Sequence, residues 1–125
     1  METAMKLLVP LAVVLLAFSV PASADKLACS IKASKGATDL KKMAKISMAA
    51  AQKTALAKQP GTVSKSELEV EDGCLVYSFD IKIAGKSGAQ EIMVDAGNGK
   101  VLSSKHESAA KEAAEKVADK LKPNK

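Results

Sequence analysis

The strongest constraint on this chain is the stretch around Asp72-Gly73, where the side-chain pattern changes from polar-apolar alternation to a run of large apolar residues at every second position. Ser66, Leu68 and Val70 alternate with Lys65, Glu67, Glu69 and Glu71. Past the turn, Leu75, Tyr77, Phe79, Ile81 and Ile83 recur in strict alternation. A period of two is the signature of a strand with one face in a core. Asp-Gly between two such runs predicts a tight hairpin, because a type I′ turn needs positive φ at both central positions. The two strands are therefore antiparallel neighbours, and any core must form on the Leu68/Tyr77/Phe79 face.

The pattern continues downstream. Gly85-Lys86-Ser87-Gly88 reads as a second turn, followed by a strand from Ala89 to Asp95 with Ile92 and Val94 on one face. Asp95-Ala96-Gly97-Asn98-Gly99 closes it, and Lys100-Val101-Leu102 returns as a short fourth strand. Sequential hairpins make an antiparallel sheet, with one face on a helix and the other facing water.

The helix lies upstream. Ser47 is positioned to cap it, and Ile46 before it can staple onto the first turn. Met48, Ala51, Ala55 and Leu56 share one apolar face, and Gln59-Pro60-Gly61 stops the run. Asp39 to Lys45 reads as a further turn of helix, and the pattern does not decide whether it joins the next. Lys26 to Gly36 has no periodicity and reads as a lead-in. From Lys105 to Lys122 a second helix is expected, with Ala110, Ala113, Ala114, Val117 and Leu121 as a narrow apolar stripe. Glu107–Lys111 and Glu112–Lys116 are its i,i+4 pairs. The expected fold class is α+β: one helix on an antiparallel sheet of three to four strands, with an extra C-terminal helix.

Leu7 to Val20 is an apolar run preceded by Lys6 and followed by Pro21-Ala22-Ser23-Ala24, the layout of a secretory signal with cleavage between Ala24 and Asp25. Met5-Lys6 would give a cleaner positive start than Met1-Glu2. A retained anchor is disfavoured because a span needs about 20 apolar residues. Lipidation of Cys29 is disfavoured because Lys26 stands where an aliphatic residue is wanted. The organisation expected is a signal at 1–24, a lead-in at 25–44, the α+β domain at 45–103 and a helical tail at 104–125. The product is expected in the periplasm or secreted, with no integral anchor after cleavage.

That compartment suits a disulfide between Cys29 and Cys74, the chain's two cysteines. Two thiols and the lone His106 do not make a four-ligand metal site. All basic side chains are lysine and the net charge is +5. Without arginine, bidentate reading of bases is not available, and no nucleic-acid partner is expected. No nucleophile–base pair is evident around His106, and the chain is read as non-enzymatic, with no cofactor. Glu67, Glu69, Glu71 and Asp72 read as a solvated strand edge rather than a weak cation site. The Asp95–Gly99 segment fails the calcium-loop spacing, since glycines fall where oxygen ligands are needed.

Taken in order, KIS, an alanine-rich helix, QPG, SELEVEDGCLVYSFDIKI and MVDAGNGKVL, from Lys45 to Leu102, resemble a PepSY domain. The resemblance implies a helix packed on a small antiparallel sheet. It also implies a non-catalytic module that restrains a peptidase or binds another envelope protein. Cys74 departs from the family pattern, where a polar residue is usual. No protease is fused to the sequence, so inhibition in cis is not expected and a partner in trans is. The alternative function is a structural or stress-related envelope component that uses its C-terminal helix for assembly or membrane-surface contact.

Overall fold

The computed structural model describes residues 27–122. The expected cleavage site, Ala24 and Asp25, lies outside the described residues. The elements are α1 (Leu40–Met43), α2 (Met48–Lys58), β1 (Thr62–Glu71), β2 (Cys74–Lys82), β3 (Ala89–Asp95), β4 (Val101–Glu107) and α3 (Ala109–Lys120). The four strands form one antiparallel sheet in the order β1-β2-β3-β4, the α+β arrangement expected from the pattern.

The hairpin forms as its residues dictate. Asp72 and Gly73 hold φ of 48° and 77°, the left-handed pair that this turn requires. Register then follows, with Leu68 opposite Tyr77 and Ser66 opposite Phe79. Gly88 carries a second demand: it also has positive φ, and a Cβ there would run into the carbonyl oxygen of Glu107.

The core occupies the face that alternation assigns to it. Leu75, Phe79, Ile81, Ile92 and Val94 are wholly buried together with Ala51 and Ala55 of α2. Each large apolar side chain removed from water contributes about 1.5–3 kcal/mol. The two alanines let α2 lie close to the sheet. Ser47 caps this helix, its Oγ accepting from the Ala50 amide at 3.1 Å. Tyr77 buries its ring and donates its hydroxyl to the Ile46 carbonyl at 2.7 Å, joining the strand to the start of α2.

The lead-in is tied down at four points. Cys29 and Cys74 form a disulfide, with Cα atoms 5.8 Å apart. Ile31 accepts from the Leu75 amide and the Ala33 amide donates to Gly73, both at 3.0 Å. These two bonds extend the sheet along β2 beyond the point where its β3 pairing ends, at Val76–Asp95. Ser30 binds the Asp95 carboxylate.

Three expectations need correction. The second face of the sheet is not wet: Cys74, Val76 and Met93 are buried with Leu27, Cys29 and Leu102 packed on them, and Ser78 and Asp80 are buried further along. The fourth strand runs to Glu107, so residues 105–107, read as helix, continue the sheet. The third concerns α3, whose expected Glu112–Lys116 pair is not made, while its narrow apolar stripe is turned to solvent. Ala110, Ala113, Ala114, Val117 and Leu121 are all exposed, while Glu112 is buried. The helix docks through charge instead, and the partner of Glu112 is Lys82 at 2.6 Å rather than Lys116.

Candidate functional site

The second face of the sheet carries a row of charged residues, one from each strand. Cross-strand pairing sets Lys65 opposite Asp80, Asp80 opposite Glu91, and Glu91 opposite Lys105. Glu107 follows Lys105 by two residues and so shares its face, one diagonal step from Glu91. Above this row, Lys111, Glu115 and Asp119 of α3 help close a groove of about 350 Å³ that opens to solvent. Lys82–Glu112 and Glu107–Lys111 are the ion pairs that fasten α3 at its N-terminal end.

Within the groove, Asp80, Glu91 and Glu107 bring one oxygen each to within 4.8 Å of one another. Asp80 and Glu107 are buried and Glu91 is half-buried. Burial, followed by the hydrogen bond and charge of Glu107, pushes the Glu91 carboxyl up to about 7. Asp80 is also raised, by burial and then by the Glu107 charge. Burial works to raise Glu107 too, but the Lys111 ammonium and the neighbouring Glu91 outweigh it and hold Glu107 low.

The residues singled out by sequence take different places. Glu67, Glu69 and Glu71 share the second face and line one side of the groove. They are only partly exposed, and burial together with the Glu67 and Glu71 charges raises the Glu69 carboxyl. The expected solvated edge is thus an outer strand whose acids are partly covered. Asp72 is taken up by the hairpin turn. His106 is exposed and lies opposite Gln90, whereas Cys74 is bound in the disulfide and offers no thiol. The same bond occupies the sulfur of Cys29 that lipidation would use.

Asp95 is an anchor and not an open ligand. Its Oδ1 accepts from Ser30 Oγ at 2.6 Å, Gly97 N at 2.7 Å and Asn98 N at 3.2 Å, and its Oδ2 accepts from Ser30 N at 2.7 Å. Burial alone would raise this carboxyl, but those donors hold it below its ordinary value.

Sequence reasoning missed the Asp80, Glu91 and Glu107 cluster. Its signal was present for Asp80 and Glu91, acids at positions whose alternation points away from the apolar core, whereas Glu107 lay in the stretch read as helix and reaches this face only past the irregularity in the β3–β4 register. The contacts among them are cross-strand, and neither motif nor spacing along the chain reports those.

Among the described residues no helix is long and apolar enough to cross a membrane. Residues 45–105 match the model of the PepSY family, described as peptidase propeptide and YPEB domain. No curated protein and no solved structure matches the chain significantly.

Proposed function

We infer, from the premise that the chain carries a PepSY domain at residues 45–105, that it is an exported binding module that restrains an envelope peptidase, or engages another envelope protein, in trans. The family match is the single observation that carries this reading. PepSY domains are propeptide-like inhibitory or binding modules, and the residues assembled on this sheet support binding better than turnover. The surface offered is the free side of β1, the outer strand of the sheet, which has β2 as its one neighbour among the described strands. Strand addition supplies affinity through the backbone.

Export rests on the expected signal at 1–24, and the Cys29–Cys74 disulfide fits an oxidising compartment. Mass spectrometry of the cell-produced protein tests it, with a product beginning at Asp25 as the expected result.

The functional test is inhibition of extracytoplasmic peptidases, thermolysin-like metallopeptidases first, by the purified mature chain, with pull-down from an envelope extract alongside. Saturable inhibition or one specific partner supports the proposal. Neither result, with a correctly folded disulfide-bonded protein, overturns it.

A second reading is favoured by the outer side of α3, where Val117 is 58% and Leu121 is 77% exposed. Here the helix serves assembly or membrane-surface contact. Truncation after Ser108 leaves the sheet whole and discriminates, since unchanged oligomeric state and membrane association would remove this reading.

A further inference from the structure

We propose that Asp80, Glu91 and Glu107 bind a hard divalent cation of the calcium class in the groove between the second sheet face and α3. This site stands independently of the peptidase reading.

Clustered carboxylates alone are common and prove little. Here a second observation points to a ligand. Glu107 has a side chain only 2% exposed, and its Oε2 is buried with no hydrogen-bond partner. Leaving a buried carboxylate oxygen unpaired costs about 1–3 kcal/mol or more, so native structures satisfy such atoms with a donor or a cation. Lys111 serves Oε1 and leaves Oε2 free.

The geometry suits a large ion. Ligand oxygens that all lie within 4.8 Å of one another can share one ion, and the variable shell of about six to eight oxygens that calcium takes fits carboxylates held by strand register more readily than the strict octahedron magnesium demands. The donor set is all oxygen, which disfavours softer metals. Three ligands come from β2, β3 and β4, so the sheet register pre-organises them. The open groove gives the ion an entry path and room for the waters that complete its shell.

The sequence setting is consistent with a weak site. Lys65 and Lys111 lie close and compete with a cation, and extracellular modules hold calcium at about 10⁻⁴–10⁻³ M.

The test uses the mature disulfide-bonded chain in thermal denaturation, with calcium, magnesium and an ionic-strength control of choline chloride. At about 5 mM calcium, Tm is expected to rise by about 5 °C, with a smaller rise in magnesium. Glu91→Gln and Asp80→Asn, each checked for native circular dichroism, are expected to lose the calcium increment. As a measurement that does not depend on variants, trace Mn²⁺ should broaden the amide resonances of Asp80, Glu91 and Glu107 ahead of those of Glu67 and Asp119. A wild-type Tm that moves no more in calcium than in choline chloride, or uniform Mn²⁺ broadening, overturns the proposal.

Discussion

Glu112 of α3 meets Lys82 of β2 at 2.6 Å across the sheet face that alternation assigns to water. The glutamate side chain is 9% exposed and the lysine 41%, so the pair is unequal: removing the lysine strands a nearly buried charge, whereas removing the glutamate leaves a lysine that can turn to solvent. Lys82→Met is therefore expected to destabilise α3 more than Glu112→Gln, by about 1 kcal/mol. Hydrogen exchange over residues 109–120 reads the effect directly, as faster exchange in this helix with β2 and β3 unaffected.

The disulfide joins Cys29 at the start of the described chain to Cys74 at the start of β2, a sequence separation of 45. On the chain-entropy account a loop of that length stabilises by about 4 kcal/mol. Cys29→Ser with Cys74→Ser should lower stability by about that amount in urea denaturation under oxidising conditions. Wild type in reducing agent should approach the double variant.

Asp95 makes stability depend on pH with a definite sign. Its folded-state carboxyl lies below the ordinary value, because donors from Ser30, Gly97 and Asn98 outweigh burial. The stabilisation it provides is present above the unfolded value of about 3.9 and drains away as pH falls through the lower folded value. Asp95→Asn should cost about 1–3 kcal/mol at pH 7, and the gap from wild type should narrow as the pH approaches 3. Urea titrations at the two pH values measure it. A gap independent of pH would show that charge plays no part.

Tyr77 and Phe79 stand two residues apart on one strand face and separate hydrogen bonding from packing. Tyr77→Phe removes the donor to the Ile46 carbonyl and should cost about 1 kcal/mol. Phe79→Ala empties a wholly buried site and should cost about 3–5 kcal/mol. Chemical denaturation resolves the two, and the first should also loosen amide protection at the start of α2.

Local signals carried much of the fold. Ser47, Gln59-Pro60 and Asp72-Gly73 act through their own backbone conformation and nearest neighbours, so helix and hairpin boundaries were legible at those residues. Alternation in β2 identified the core face for the same reason. The end of β4 was less visible: Ser103 to Glu107 has no apolar residue, and its strand conformation depends on pairing with β3. The narrow stripe of α3 stays in water because alanines offer little area to bury. Two ion pairs and a polar groove decide which side of that helix turns inward.

The sequence by itself determined an α+β chain with a two-residue hairpin, a capped helix over an aliphatic core and a cysteine pair able to bridge. Each of these follows from residue type and short-range periodicity. Tertiary structure alone decided that the other sheet face is covered, that Glu112 and not the alanines docks α3, and that Asp80, Glu91 and Glu107 share one site. Strand register determines that convergence: the three acids lie 11 and 16 residues apart along the chain, and only the pairing of β2, β3 and β4 brings them together.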